Sequence, residues 1–302
     1  MTAKQRLVAA LDRQPTDRLP VTTHHLMQSY MARHFPGQTD DDFFAAFGLD
    51  PICWVAERLV KRKSDIELIA AFAPQPLCDV AAVNQKADAY GDSALIRGNI
   101  NCFDLYGQPG CWQDACVLFG VEEMIMETFD DPAWVHAFLG ILRDRKVKFA
   151  DSLRGARFDV LEHGGGDASS TVISPSIFET FVAPYDREVI AHARSAGQRV
   201  TYHTCGGMMP LLEQLVGLGS NALETFTPAA MGGDMDLAEA KRRIGDQVCF
   251  IGGFDQNRFF TTATPAETRA EVRRCFAEAG AGGGFILSPS DHFFEASPEL
   301  LH

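Results

Sequence analysis

The sequence predicts an α/β protein built on a parallel sheet. In the second half, short apolar runs of strand character alternate with helical patterns at roughly 25 to 40 residue spacing, the signature of βαβ units. Helix-start signals punctuate that alternation, as at Ser174-Pro175 and Thr264-Pro265. No low-complexity linker or internal repeat interrupts the 302 residues, so a single domain over 1–302 is expected. A doubly wound sheet and a (β/α)8 TIM barrel both satisfy the pattern.

In chain order, MTAKQRLVAALDR reads as a short amphipathic helix with charges throughout, not as an apolar leader. LPVTTHH (19–25) and ALIRGN (95–100) read as strands, 39–72 as mainly helical, and 101–120 as a Gly- and Cys-bearing loop. A long helix over 131–153 follows Asp130-Asp131-Pro132. The remaining strands are DVLEHGG (159–165), RVTYHTC (199–205), NALETFT (221–227), QVCFIGG (247–253) and GGFILSP (283–289). Between them lie a helix from Pro175 to Gly197 and the helical patterns MMPLLEQLVGLG, DLAEAKRRIG and TPAETRAEVRRCFAEAG. About 13 residues follow the last strand, where a complete barrel carries a helix. The expected barrel therefore lacks its usual last helix or covers the gap with N-terminal helices.

Charge narrows the partners. Twenty-seven basic against 40 acidic residues give a net charge of -13. The densest basic run, Lys61-Arg62-Lys63, is followed at once by Asp65 and Glu67, which argues against nucleic acid and anionic membrane. No apolar stretch approaches the roughly 20 residues of a membrane helix. Eight cysteines without a secretion signal suggest reduced thiols in the cytoplasm. Cys111 and Cys116 lack a CxxC pair and read as structural.

Sites in parallel α/β folds form at the C-terminal ends of strands. Here those ends carry His24 and His25; Glu162 and His163; His203 and Cys205; Glu224; Asp255; and Asp291-His292. His203 and Cys205 stand two apart in an extended segment, so both can face one side. Imidazole and thiolate together favour zinc over magnesium or calcium. Asp291, His292, Glu162 and His163 are candidates for further ligands. The competing account is a buried thiol beside a hydrogen-bonded histidine. GGG (164–166) and AGAGGG (279–284) lack the spacing of phosphate loops and read as turns or close backbone contacts. Ser169-Ser170 lacks a GxSxG elbow. GGDMD (232–236) lacks calcium-loop spacing and reads as a loop with a helix cap.

The order of motifs is more specific than any one of them. ISPSIFETFVAPY, YHTCGGM, ALETFTP, GDQVCFIGGFDQ, TPAETRAEV and GGFILSPSDHFFEASPEL follow one another as in the uroporphyrinogen decarboxylase superfamily, which the chain resembles nearly end to end. The opening AKQRLVAALDRQPTDRLPV resembles it too, and the likeness is strongest over 172–299. The resemblance implies a (β/α)8 barrel with its site at the C-terminal mouth, and two chemistries. One branch decarboxylates the acetate arms of uroporphyrinogen III without metal or cofactor. The other uses zinc to move methyl groups between corrinoid proteins and thiols such as coenzyme M, with a His-x-Cys pair and a later cysteine as ligands.

His203 and Cys205 match that pair; the third position falls on Asp291, with His292 beside it. Carboxylate can ligate zinc, although it is harder than thiolate. The decarboxylase branch carries an Arg-Gln-Ala-Gly-Arg motif after the first strand, where this chain reads TTHHLMQSYMARH. A zinc-dependent methyltransferase is therefore expected, with His203, Cys205, Asp291 and His292 at the metal. Glu162 and His163 would serve in acid/base chemistry or as a fourth ligand, with Asp255 beside them in the catalytic pocket. His24 and Glu224 would line it against the cofactor. A corrinoid (cobalamin) co-substrate on a small partner protein and a homodimer follow from the resemblance. Decarboxylation of a tetrapyrrole (a carboxy-lyase activity) and a non-catalytic binding barrel are the alternatives.

Overall fold

The structure, a computed structural model, describes residues 1–21, 31, 33–51, 60–72, 75–101, 109–291 and 296–301. The chain packs as two compact units, Met1–Glu57 and Arg58–His302. In the first, helix Ala3–Leu11 starts at a capping box between Thr2 and Gln5, and helix Asp40–Ala46 at one between Thr39 and Asp42. The buried Asp50 carboxylate accepts from Arg6, from Arg18 (2.8 Å) and from the Val21 backbone N–H (3.1 Å). Most of the strand expected over 19–25, with His24 and His25, lies outside the described residues.

Among the described residues the second unit holds six parallel strands: β1 (Arg97–Asn99), β2 (Val160–Gly164), β3 (Val200–His203), β4 (Ala222–Thr225), β5 (Cys249–Phe254) and β6 (Phe285–Pro289). Their spatial order follows chain order from β1 to β6. A doubly wound sheet reverses direction at a switch point. This sheet never does, and the unbroken winding is that of the (β/α) barrel. All six strands coincide with apolar runs read from the sequence.

The helices follow their caps. Asp131 accepts from the Trp134 N–H and starts Pro132–Asp151. Ser174 caps Pro175–Ile177, and Thr264 forms a capping box with Glu267 ahead of Pro265–Cys275. Asp236 caps Leu237–Ile244, as the GGDMD reading expected. The helix expected to run unbroken from Pro175 contains a π-turn over Phe178–Val182 before resuming as Ala183–Ser195. Pro184 accounts for this, because it has no N–H to donate to the Thr180 carbonyl one turn back.

One segment corrects the sequence reading. Cys111–Phe119, expected as loop, is a helix whose Cys111, Trp112, Ala115, Cys116 and Leu118 are all buried. Gly110 and Gly120 flank it and no side chain caps its start, so the local signals of a helix are absent. Burial all round also removes the polar stripe that marks an amphipathic helix. Helices Val80–Tyr90 and Val121–Asp130 likewise lie where the sequence reading places no element. After β6, the described residues hold the single turn Pro298–Leu301.

Two glycines let strand ends approach closely. Gly252 has φ +124°, and a Cβ there would stand 1.8 Å from the Thr225 carbonyl oxygen. Gly164 has φ +102°, and its Cβ would stand 2.4 Å from the His203 carbonyl oxygen. The GGG of 164–166 is thus a close-contact motif, as expected, and it abuts the strand that carries His203 and Cys205.

Candidate active site

Strand pairing places the site. Glu162 pairs with Thr201, Gly164 with His203, and His203 with Glu224. Side chains alternate between faces, so Arg97, Glu162, His203 and Glu224 share one face of the sheet. The Arg97 guanidinium donates to Glu162 Oε2 at 2.6 Å and to Glu224 Oε2 at 3.0 Å, with a further short contact to Glu224 Oε1. His203 Nδ1 lies 3.0 Å from Glu224 Oε1 and 3.4 Å from Glu162 Oε1. One arginine and one imidazole therefore bridge two largely buried carboxylates.

The other ring nitrogen of His203 is buried and has no hydrogen-bond partner among the described residues. Two residues on, Cys205 packs its thiol against Gly166, where an added Cβ would lie 2.6 Å from Sγ. Gly206 and Gly207 close the turn, donating their N–H groups to Thr227 Oγ1 (3.2 Å) and Thr171 Oγ1 (2.6 Å). Asp234 accepts from the Met208 and Met209 N–H groups, at 2.7 and 3.2 Å. These bonds hold the turn after β3 over residues 206–209, directly following Cys205.

Burial pushes the His203 imidazole down, but the Cys205 thiol and the carboxylates of Glu224 and Glu162 outweigh it and raise it to about 9. Burial pushes the Glu224 carboxyl up, yet His203 and Arg97 together hold it below its usual value. Because the folded value for His203 exceeds the unfolded 6.5, its stabilisation is complete below pH 6.5 and is lost as pH rises through 9. At about 1.4 kcal/mol per pKa unit this is on the order of 3 kcal/mol. Urea unfolding of chelator-treated protein at pH 6 and pH 9.5 is expected to show that loss in wild type and not in His203→Asn. Equal pH dependence in the two proteins would contradict the assignment.

The expected site residues divide. Glu162, His203 and Glu224 come together with ligand atoms within 4.8 Å of one another. His163, expected beside Glu162, is turned away from it. The strand alternation that sends Glu162 to the site sends His163 into the helix layer, where Nε2 lies 2.9 Å from Asp186 Oδ1 and the ring is fully buried. His163 forms a second group there with Cys111 and Asp186. Asp255 follows β5 and caps helix Gln256–Phe259, accepting from the Arg258 N–H at 3.1 Å. Asp291 is exposed two residues beyond β6, and neither three-residue group includes Asp291 or Cys205. His24 and His292 lie outside the described residues. Sequence reasoning missed Arg97; its signal was a lone arginine inside the apolar run ALIRGN. It also missed Asp186, which nothing local distinguishes from a surface helix residue.

Residues 81–299 match the family model described as uroporphyrinogen decarboxylase (URO-D). The chain belongs to the uroporphyrinogen decarboxylase family. Among curated members, a uroporphyrinogen decarboxylase of Aeromonas salmonicida is 29% identical over 243 residues, 77% of this chain and 63% of that protein. One from Neisseria meningitidis serogroup C is 32% identical over 127 residues, so the match spans 40% of this chain and about a third, 33%, of that protein. Among solved structures, a methyltransferase from Methanosarcina mazei superposes with a TM-score of 0.59 over 99% of this chain and 96% of that one, at 17% identity. That likeness shows a shared fold. The family is one of enzymes, and the curated members matched here carry the name uroporphyrinogen decarboxylase. No helix among the described residues is long and apolar enough to cross a membrane.

Proposed function

We propose that this chain is a zinc-dependent methyltransferase of the uroporphyrinogen decarboxylase family, working as a single barrel domain in the cytoplasm. It moves a methyl group between a corrinoid carried on a small protein and a thiol or similar small acceptor. The observation that carries this reading is His203: Nδ1 is held by Glu224, while the buried Nε2 has no hydrogen-bond partner among the described residues. A metal-ligating histidine characteristically gives one nitrogen to a carboxylate and keeps the other for the metal. Cys205 beside it adds the thiolate that zinc prefers. The M. mazei protein of the same fold is named a methyltransferase, which agrees.

In this reading His203 and Cys205 would hold the metal, and Asp291, with His292 following it in sequence, would complete the set. Bound zinc supplies Lewis acidity that lowers the pKa of a thiol acceptor and leaves a nucleophile at neutral pH. Glu224 fixes the His203 tautomer with its proton on Nδ1. Arg97 neutralises part of the paired carboxylate charge and keeps both groups in place. Glu162, 3.4 Å from the same ring, is the carboxylate left to take the proton that the acceptor releases. His163, bonded to Asp186 in the helix layer, takes no part in the transfer.

Decarboxylation of a tetrapyrrole fits less well. Arg97 is already committed to Glu162 and Glu224, so it is not available to grip substrate carboxylates. Elemental analysis with two assays separates the readings. About one zinc per chain, with thiol-dependent demethylation of methylcobalamin, is expected. A metal-free protein that consumes uroporphyrinogen overturns the proposal.

A further inference from the structure

A single buried carboxylate ties together the backs of the two strands that carry the site. We propose that Asp186 is a positioning residue for Glu162 and His203: it locks β2 and β3 to the helix layer and so sets the spacing of the two side chains. The inference rests on the site described under Proposed function and extends it to a residue on the opposite face of the sheet.

The geometry is specific. Asp186 lies on helix Ala183–Ser195 and is fully buried. Its Oδ1 accepts from the Cys111 backbone N–H at 3.1 Å and lies 2.9 Å from His163 Nε2; its Oδ2 accepts from the Tyr202 hydroxyl at 2.7 Å. Those three partners belong to three elements: the start of helix Cys111–Phe119, β2 and β3. His163 is the chain neighbour of Glu162, and Tyr202 of His203; the pair also sits opposite each other in the β2–β3 register. A bond made on the helix side of a strand therefore fixes the pose of the adjacent residue on the site side.

Backbone hydrogen bonds set the register of β2 and β3, but not how the sheet leans on its helices. That lean is what Asp186 controls. The other nitrogen of His163, Nδ1, is buried without a partner among the described residues, where Asp186 is the hydrogen-bond anchor of that ring. Burying an anion is costly unless donors surround it. An apolar residue would fill the same space without that cost, but could not hold three elements at defined distances.

The test uses the whole chain and cadmium ion as probe. Cadmium is titrated into wild type, Asp186→Asn, Tyr202→Phe and, as a packing control, Leu215→Ala, a fully buried residue on helix Leu212–Val216. The signal is the thiolate–cadmium absorbance that Cys205→Ala removes. Asp186→Asn is expected to weaken binding about tenfold or more, the range for residues that orient metal ligands. Tyr202→Phe should weaken it less, and Leu215→Ala should lower Tm while leaving affinity unchanged. Wild-type affinity in Asp186→Asn, or equal weakening in Leu215→Ala, overturns the proposal. If Asp186→Asn does not fold, Tyr202→Phe decides: weakened binding supports positioning and wild-type affinity overturns it.

A wild type that shows no Cys205–cadmium signal sinks the metal reading instead. Positioning is then decided in metal-free protein by a thermal cycle pairing Tyr202→Phe with Glu224→Gln, residues that share no hydrogen-bond partner. Non-additive Tm shifts sustain the proposal; additive shifts overturn it.

Discussion

Replacing His203 with alanine is expected to remove the bound zinc and to lower methyl transfer by at least about a thousandfold, while the protein stays folded. The two halves of that expectation have different origins. Without the ring, Cys205 and a carboxylate are too few to hold the metal, and the Lewis acidity that activates the acceptor goes with it. Folding survives because His203 stands at the end of β3, below the strand's packed residues Val200 and Tyr202. Glu224→Gln supplies the graded comparison. It keeps the shape but loses the charge that orients Nδ1, so a metal affinity lower by about 10- to 100-fold is expected rather than complete loss. Metal content after dialysis against a weak chelator, with circular dichroism on the same samples, checks both. Full zinc occupancy in His203→Ala would remove the basis of the assignment.

The largest expected effect on stability lies at Gly252. An alanine there places its Cβ 1.8 Å from the Thr225 carbonyl oxygen at a φ of +124°. Thr225 and Gly252 are register partners in β4 and β5, so neither backbone can retreat without breaking the ladder. Steric overlap and the unfavourable φ together are expected to cost roughly 2–5 kcal/mol. Against a typical total of about 5–15 kcal/mol, that leaves the protein marginal or insoluble. Gly232→Ala is the control: its φ is +86°, but no atom stands within 4 Å of its Cβ, so only the backbone penalty of about 1–2 kcal/mol should appear. Urea unfolding of the two variants beside wild type measures the difference. Equal losses would mean that the β4–β5 contact at Thr225 is looser than its geometry implies.

Much of this is legible in the sequence itself. The six described strands announce themselves as apolar runs between helix caps, and Ser174, Thr264, Asp131 and Asp236 cap where their side chains and spacing say they should. These are local effects, in which a hydroxyl or carboxylate meets an N–H three residues away, and local effects survive in a one-dimensional text. The helix Cys111–Phe119 was not legible for the converse reason. It is stabilised by burial against distant segments, including the bond from the Cys111 N–H to Asp186, and not by caps or amphipathic period.

The same division runs through the site. Residue types and strand-end placement marked Glu162, His203, Cys205 and Glu224 as candidates, and strand alternation alone separates Glu162 from His163 once the register is known. What the linear chain could not supply is which carboxylate reaches which nitrogen. His203 meets Glu224 across β3 and β4 and Glu162 across β2, and Arg97, 127 positions from Glu224, closes the group. The chain's own letters decided the fold family and the side chains available for chemistry, because caps, periodicity and motif order are properties of near neighbours. Only the folded sheet decided that one imidazole nitrogen is held by a carboxylate while the other is buried with no hydrogen-bond partner among the described residues, because that depends on register and packing between segments far apart in sequence.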